Sequence, residues 1–425
     1  MLHHFDQKVY VMMKKIFCCC NDNYINDNIN SGYDISEDCQ KKVLVFLNPN
    51  SGFGNSLIDF NKKLLPALKR NNIGFEFVKT EGKNHCFEIA KNKKNLHDFN
   101  AVIIMSGDGL IFEWINGICQ REDKIEILNK LPIGIVPTGS GNGLLSSIFF
   151  ANNISLKKQG FQERAIEVIS SNNAISSYVN LIHIETESIN YISFLSVGWG
   201  LLANIDIDSE RWRKTFGSHR FFIEALLKIV NIPAYKGKLW YSRRNPNTYY
   251  ENWNDKNNYV YSNDKIIQEN DSQLDFDREN YQEVNNLRNH HLLKFIPSIK
   301  EPIPSSWNVI DDEFVFIYAV TLSHISRDGF YMPSAKLDDP NIYLTYCLRK
   351  DLPSRKELIN FLIDIEDGKH CSHKFINVVK VDSFRLESQT NDSFIVVDGE
   401  KINENLIQAT TTDIKVSVIC NQKEA

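Results

Sequence analysis

The 425-residue sequence lacks the features that mark several large classes of protein. No apolar run approaches the roughly 20 residues that a helix needs to cross a bilayer. Charges throughout residues 1–15 exclude a secretory signal peptide there. The net charge is −5 and the pI is near 6.2, so binding to nucleic acid through overall positive charge is not expected. These absences favour a cytoplasmic protein that is either soluble or peripheral at a membrane.

The nine cysteines form no CxxC pair, and no group of histidines and cysteines has the spacing of a zinc site. Scattered cysteines of this kind indicate reduced thiols in a cytosolic protein. Cys18, Cys19 and Cys20 are adjacent and follow two lysines, a context that suits S-acylation. The preferred interpretation is a mobile leader over residues 1–40 in which these thiols have no role.

Residues 41–180 alternate short apolar segments with amphipathic ones. This pattern predicts an α/β domain with a Rossmann-like, mostly parallel sheet, in which ligands bind at the carboxyl ends of the strands. The predicted strands are 43–47, 75–78, 101–105 and 133–136. The predicted helices are 56–70, 85–93, 110–119, 144–150 and 161–170.

Residues 181–425 have a different pattern, with many short alternating segments that predict a β-rich, sandwich-like second domain. Residues 243–308 are dense in Asn, Asp, Tyr and Glu and lack periodicity, which indicates a mobile surface insertion without chemistry of its own. Helices are predicted over 221–229 and 354–365. The predicted strands are 181–184, 191–197, 238–241, 314–322, 342–348, 377–381, 383–386, 394–397 and 413–419.

Three glycine-rich turns connect a predicted strand to a predicted helix in the first domain. They lie at residues 48–55, 106–109 and 138–143. Backbone N–H groups in such turns, together with the helix N-terminus, suit a bound phosphate. The turns match neither a Walker A loop nor a dinucleotide fingerprint, so a P-loop NTPase and a hydride-transferring enzyme have little support.

Asp108 lies between two glycines in the second of these turns. A carboxylate so close to phosphates can hold Mg²⁺, or it can accept the proton of an attacking hydroxyl in phosphoryl transfer. The alternative is an aspartate that only caps the following helix. The glycine turn at residues 138–143 favours the catalytic interpretation.

Taken together, the motifs resemble those of the diacylglycerol kinase-type lipid kinases, and within that superfamily those of the sphingosine kinases. The resemblance extends over residues 43–402 except the predicted insertion, and its most specific part is the segment at 195–213. It implies an ATP-dependent enzyme that phosphorylates the primary hydroxyl of a sphingoid base, with a lipid-binding second domain. The motifs that carry it are NPNSG at 48–52, SGDG at 106–109, PTGSGN at 137–142, LSVGWGLLANIDIDSERWR at 195–213 and DGE at 398–400.

The resemblance also implies roles for single residues. Asp108 corresponds to the catalytic base, and Asp206 to the aspartate that pairs with the substrate amine. Ser196, Leu201 and Leu202 are the other substrate-binding residues. The residues implied to bind the nucleotide are Asn48, Asn50, Ser51, Gly52, Ser106, Gly107, Gly109, Gly139, Ser140, Gly141, Asn142, Arg213, Arg220 and Glu400.

Physical chemistry supports the role of Asp206 independently, because a partly desolvated carboxylate binds a cationic amine well. Diacylglycerol carries no such charge. A kinase for diacylglycerol or ceramide, and a non-catalytic lipid-binding scaffold on the same fold, are the alternatives. Mg²⁺ is expected with ATP, and no residue is assigned to a resident metal site.

The first turn departs from the family, since Asn50 and Phe53 stand where relatives carry basic residues. Residues 223, 226, 227 and 230 form an apolar stripe at helical spacing. The stripe either faces the core or forms a lid over the lipid that enters a membrane, and periodicity alone does not distinguish these. Peripheral membrane association is therefore expected beside a cytoplasmic location.

Overall fold

The computed structural model describes residue 39 and residues 41–216, 220–243 and 296–422. The predicted leader, apart from Cys39, and residues 244–295 of the predicted insertion lie outside these ranges. So do the side chains of Arg213 and Lys214. Within the described ranges, no helix has the length and apolar character required to cross a bilayer.

Four parallel strands form the sheet of the first domain, in the order β2-β1-β3-β4. Their residues are mostly Val, Ile, Leu and Phe and are buried on both faces, which is typical of a parallel sheet covered by helices. The strands are β1 (Lys41–Leu47), β2 (Ile73–Lys79), β3 (Ala101–Ser106) and β4 (Ile133–Pro137). The helices are α1 (Ser56–Asp59, a π-helical stretch Phe60–Leu64, and Leu65–Arg70), α2 (His85–Asn92), α3 (Asp108–Cys119), α4 (Lys124–Lys130), α5 (Gly143–Ala151) and α6 (Phe161–Ser170).

The rest of the described chain is β-rich, and its strands pair mainly antiparallel. The strands are β5 (Ala174–Thr186), β6 (Asn190–Ser193), β7 (Ser196–Gly200), β8 (Tyr235–Arg243), β9 (Asn308–Val320), β10 (His324–Ser326), β11 (Gly329–Phe330), β12 (Ile342–Leu348), β13 (Asn377–Ser388), β14 (Ile395–Val397), β15 (Glu400–Ile402) and β16 (Leu406–Gln422). The helices are α7 (Leu201–Asp208), α8 (Arg213–Phe216), α9 (Arg220–Ile229) and α10 (Arg355–Asp364).

The last strand joins the two parts of the fold. β16 pairs antiparallel with β5 and β13, and Val418 also pairs in parallel with Ile133 at the edge of the first sheet. The predicted fold class, an α/β domain followed by a β-rich domain, is therefore confirmed. β5 runs through residue 180 without interruption, and a domain boundary at that position stays a prediction.

The segment 191–197 was predicted as one strand, and this is wrong. β6 ends at Ser193 and β7 begins at Ser196. The backbone N–H groups of Phe194 and Leu195 donate to the carboxylate of Asp398 instead of to a neighbouring strand. Because that acceptor lies more than 200 residues away in the sequence, local patterning contains no sign of the break.

Helix α9 presents its apolar stripe to solvent. The side chains of Leu226, Leu227 and Val230 are 38%, 52% and 69% exposed, whereas Arg220 and Glu224 are buried. The core-facing interpretation of this stripe is wrong. The buried face combines Ala225 and Ile229, which enter the main core, with charged residues that form ion pairs to the preceding segment.

The predicted insertion is shorter than 243–308. Ile299 and Trp307 are buried, and Arg385 donates to the carbonyl oxygens of Ser298 and Glu301. The described residues before β9 therefore belong to the packed domain.

Candidate active site

The three glycine-rich turns lie against one another at the carboxyl edge of the parallel sheet. The N–H of Asn48 donates to the carbonyl of Met105 at 3.3 Å, and the N–H of Thr138 donates to that of Ser106 at 3.3 Å. The N–H of Asp108 donates to the carbonyl of Gly141 at 3.1 Å. Backbone hydrogen bonds therefore connect the three turns at the carboxyl edge of the sheet, where the ligand site was predicted.

Glycine is required where these turns touch. A Cβ at Gly107 would lie 2.5 Å from the carbonyl oxygen of Gly141, and a Cβ at Gly139 would lie 2.6 Å from the nitrogen of Gly107. Gly52 has φ +59° and packs against Thr138 in the same manner. The backbones therefore approach closely enough to present several N–H groups to one ligand.

Two buried polar atoms in the third turn have no hydrogen-bond partner among the described residues. They are Thr138 Oγ1 and Asn142 Oδ1, although Asn142 Nδ2 donates to the carbonyl of Gly139 at 2.8 Å. Buried polar groups are usually paired, and an exception at a glycine-lined turn indicates a place for a polar ligand. The turns therefore fit the phosphates of a nucleotide.

Residues of the first turn are fixed by local hydrogen bonds. Asn48 Oδ1 accepts from the N–H of Asn50 at 2.9 Å, and the Asn48 carbonyl accepts from Ser56 Oγ at 2.6 Å. Ser51 is buried, and its Oγ would lie 3.2 Å from a Cβ at Gly139. The predicted nucleotide residues of all three turns are thus brought together.

Asp108 is the first residue of α3, and its carboxylate is 6% exposed. Oδ2 accepts from the N–H of Gly143 at 2.7 Å and Oδ1 from that of Leu144 at 3.3 Å, so this side chain also caps α5. Burial raises the pKa of Asp108 to about 7, against the opposing effect of these two hydrogen bonds, and the charge of Asp398 raises it further. A carboxylate with that pKa can accept a proton near neutral pH.

Asp398 fixes the segment between β6 and β7. Its carboxylate accepts from Ser193 Oγ at 2.7 Å and from the N–H groups of Phe194, Leu195 and Ser196 at 3.0, 3.0 and 2.8 Å. Burial raises the pKa of Asp398 to about 6, although these hydrogen bonds lower it. The DGE motif therefore has a structural role that sequence reasoning did not show, while its contact with the nucleotide stays a prediction.

Asp206 lies on α7 beside the same turn. A Cβ at Gly399 would be 3.9 Å from Asp206 Oδ2, and about a third of the Asp206 side chain is exposed. Arg220 Nη2 lies 3.9 Å from Asp206 Oδ1. The carboxylate is thus held at the edge of the site while part of it stays open to a ligand.

The two predicted phosphate-binding arginines differ in position. Arg220 is 3% exposed, and its Nη1 donates to Ser209 Oγ at 2.7 Å and pairs with Glu210 at 2.5 Å. These contacts fix the segment that carries Asp206. Arg213 begins α8, but its side chain lies outside the described part of the chain. Contact between either arginine and phosphate stays a prediction.

Lys83 is a site residue that sequence reasoning missed. It follows β2, and its Nζ lies 2.7 Å from Glu400 Oε2, while Glu400 Oε1 would lie 3.4 Å from a Cβ at Gly109. This ion pair links the two domains at the predicted nucleotide site. The position of Lys83 after a parallel strand was the available signal, because ligands bind at the carboxyl ends of such strands.

The remaining predicted substrate residues occupy different environments. Ser196 is buried and its Oγ accepts from the hydroxyl of Tyr318 at 3.3 Å. Leu202 is partly buried and packs against a cluster of five residues, which we call the apolar cluster. The apolar cluster consists of Val320, Tyr331, Met332, Ala335 and Tyr343. Leu201 is completely buried in the main core, so a direct contact with lipid is the least supported of these predictions.

Comparisons with known proteins agree with this geometry. Residues 42–176 match the family described as the diacylglycerol kinase catalytic domain. The chain is 40% identical over 393 residues to sphingosine kinase 1 of Caenorhabditis elegans, covering 90% of this chain and 82% of that protein. It is 28% identical over 383 residues to human sphingosine kinase 1, covering 86% and 88%.

A solved structure has the same fold. The crystal structure of a putative diacylglycerol kinase from Bacillus anthracis superposes with a TM-score of 0.57 at 16% identity, covering 90% of this chain and 97% of that chain. The family assignment follows from the sequence identity to the sphingosine kinases. The chain belongs to the sphingosine kinase family of diacylglycerol kinase-type lipid kinases.

Proposed function

We propose that this enzyme transfers the γ-phosphoryl group of ATP to the primary hydroxyl of sphingosine or a related sphingoid base, giving sphingosine 1-phosphate or its analogue. The observation that carries the proposal is the arrangement of two carboxylates around one turn. Asp108 adjoins the glycine turns and is affected by the charge of Asp398, while Asp206 adjoins Gly399. Asp108, the proposed proton acceptor, and Asp206, the proposed partner of the substrate amine, thus both lie close to residues 398–400.

In this mechanism ATP binds across the three glycine turns, and the lipid hydroxyl enters between the domains. Asp108 accepts the hydroxyl proton as the lipid oxygen forms a bond to the γ-phosphorus. The bond from the γ-phosphorus to the β–γ bridging oxygen breaks, and ADP leaves. Backbone N–H groups of the turns and basic side chains such as Lys83, Arg213 and Arg220 would stabilise the phosphate charge.

Mg²⁺ is expected to enter with ATP. No group of three or more His, Cys, Asp or Glu side chains among the described residues forms a ready metal site. Mg²⁺ usually takes one or two protein carboxylates and obtains its other ligands from phosphates and water. Glu400, beside Gly109, is the carboxylate that would hold the ion while Asp108 acts as the base, and the ion would neutralise phosphate charge.

The cationic amine distinguishes a sphingoid base from the alternative substrates, diacylglycerol and ceramide. We expect Asp206→Asn to lower kcat/KM for sphingosine by about 100-fold, since a charge-assisted pair is lost at a partly desolvated site. The measurement is transfer of label from ATP to sphingosine, diacylglycerol and ceramide by wild type and variant. Turnover of a neutral lipid that is insensitive to the variant would indicate another substrate, and no transfer to any lipid would indicate a scaffold.

We propose that the exposed stripe of α9 is the membrane-facing surface of a cytoplasmic, peripherally bound enzyme. Three apolar residues at helical spacing are exposed: Leu226 and Leu227 on α9, and Val230 directly after its end. An amphipathic helix of this kind inserts its apolar face at the boundary between headgroups and acyl chains. A sphingoid base carries a long hydrocarbon chain, so delivery from a bilayer is consistent with the proposed substrate.

Vesicle sedimentation tests this surface. Leu227→Gln combined with Val230→Gln is expected to lower binding to vesicles of phosphatidylcholine and phosphatidylserine at least fivefold, because about 2 kcal/mol of apolar transfer is lost. Val309→Gln is a matched control, since Val309 is 55% exposed on a different element, β9. Equal binding by the double variant and the control would refute the membrane role of α9.

A further inference from the structure

Tyr318 is a half-buried phenol that lies beside the proposed substrate residues. It belongs to β9, and its hydroxyl donates to Ser196 Oγ at 3.3 Å. A Cβ at Gly198, on the neighbouring strand β7, would lie 2.8 Å from the Tyr318 ring. Glycine at that position therefore allows the ring to lie across β7, next to the segment that leads into α7.

The charges of three carboxylates raise the pKa of the Tyr318 phenol. Burial raises the pKa of Tyr318 far above its usual range, and the charges of Asp206, Asp398 and Asp108, in that order of effect, raise it further. The hydroxyl therefore stays protonated at any working pH and remains a hydrogen-bond donor. Of the two carboxylates assigned to chemistry, Asp206 affects the phenol more than Asp108 does.

The Tyr318 ring also packs against apolar residues. Its centroid lies 5.0 Å from that of Tyr331, and Tyr318 packs against the apolar cluster together with Leu202. The strand is fixed there, because Thr345 Oγ1 donates to the carbonyl of Tyr318 at 2.6 Å. Tyr318 thus has its hydroxyl at Ser196 and its ring packed against the apolar cluster, beside the predicted substrate residue Leu202.

The order of groups along a sphingoid base matches this arrangement. Such a lipid is a 2-amino-1,3-diol, so its amine lies between the reacting hydroxyl and a second hydroxyl, after which the chain begins. With the 1-hydroxyl at Asp108 and the amine at Asp206, the 3-hydroxyl is carried by the carbon next to the one that bears the amine. A phenol that contacts Ser196 and packs against the same cluster as Leu202 lies among the predicted substrate residues, where it can meet this hydroxyl.

We propose that Tyr318 donates a hydrogen bond to the 3-hydroxyl of the sphingoid base and is a specificity-determining residue of this enzyme. The inference rests on the proposed function, because it assumes that Asp206 holds the amine. Ser196 Oγ, which now accepts from the phenol, would accept from the lipid hydroxyl when the phenol turns to the lipid. A site built to bond a hydroxyl discriminates against an analogue that lacks it.

The test compares sphinganine with 3-deoxysphinganine as acceptors of label from ATP. Wild type is expected to prefer the 3-hydroxy base by about tenfold in kcat/KM, the range for one desolvated hydrogen bond. Tyr318→Phe, which keeps the ring and its packing, is expected to bring the preference within about twofold. The change should come from the 3-hydroxy base, with kcat/KM for the deoxy base unaltered.

Tyr343→Phe is the matched control. Tyr343 belongs to the same apolar cluster, and its hydroxyl donates to Asp339 Oδ2 at 2.6 Å. Loss of that hydroxyl should change both substrates equally and keep the tenfold preference.

Two results would overturn the assignment of Tyr318 alone: an undiminished preference in Tyr318→Phe, or an equal loss on both bases. Absence of transfer from wild-type enzyme to either base would overturn the proposed function and this inference with it.

Discussion

The pH dependence of turnover follows from the burial of Asp108. Its pKa of about 7 means that the free carboxylate is mostly protonated at pH 6 and mostly ionised at pH 8. A general base acts only in its ionised form, so kcat/KM should rise about tenfold between those two values. An aspartate with the ordinary pKa would be ionised at both, and the profile would be nearly flat.

Removing the charge of Asp398 tests whether this pH dependence comes from Asp108. Asp398 raises the pKa of Asp108, so Asp398→Asn should move the midpoint of the profile to lower pH and reduce the rise between pH 6 and pH 8. Titration of ATP or of the lipid amine would be unaffected by that substitution. The variant also loses acceptors for backbone N–H groups, so its folding must be verified by thermal unfolding.

The assay is initial-rate transfer of label from ATP to a sphingoid base at subsaturating lipid from pH 5.5 to pH 8.5. In wild type we expect kcat/KM to rise with pH, with a midpoint near pH 7. In Asp398→Asn that midpoint should move to lower pH. A flat profile, or a limb that does not move in the variant, would refute the argument that buried Asp108 is the titrating base.

Three further predictions concern the architecture of the site. Gly107→Ala should lower turnover more than tenfold and lower the free energy of unfolding by about 2 kcal/mol, because the added Cβ would overlap the carbonyl of Gly141. Gly82→Ala is the control: a Cβ there would have no atom within 4 Å, so turnover and melting temperature should stay unchanged. Arg220→Ala should raise KM for the lipid more than KM for ATP, since its described contacts fix the Asp206 segment, and a larger effect on ATP would favour phosphate contact. Leu201→Ala should lower the melting temperature, at a cost of about 3 kcal/mol in the free energy of unfolding, as expected for a completely buried core leucine.

The glycine turns and Asp108 were accessible from sequence because their signals are local. Each turn follows an apolar strand of a parallel sheet, and the carboxyl ends of such strands meet at one edge. The residues at 48–52, 106–109 and 138–142 therefore had to come together once the strand pattern was recognised. The glycines also carried information, since close backbone contact excludes a Cβ.

The features that sequence reasoning missed depend on contacts between distant parts of the chain. The break between β6 and β7 requires Asp398. The orientation of α9 depends on ion pairs of Arg220 and Glu224 and on the burial of Ile229 in the main core. Apolar periodicity identified the helix but not the side that faces solvent. Tyr318 stands in an apolar strand, where a tyrosine gives no local sign of three nearby carboxylates.

The most direct test of the central claim is Asp108→Asn. The amide keeps the size of the side chain and removes its ability to accept a proton, and general-base catalysis contributes about 100- to 10,000-fold to rates. Transfer of label from ATP to sphingosine should fall by at least 100-fold, while ATP affinity measured by calorimetry stays within about threefold of wild type. Wild-type-like turnover in this variant would contradict the account of Asp108 as the catalytic base.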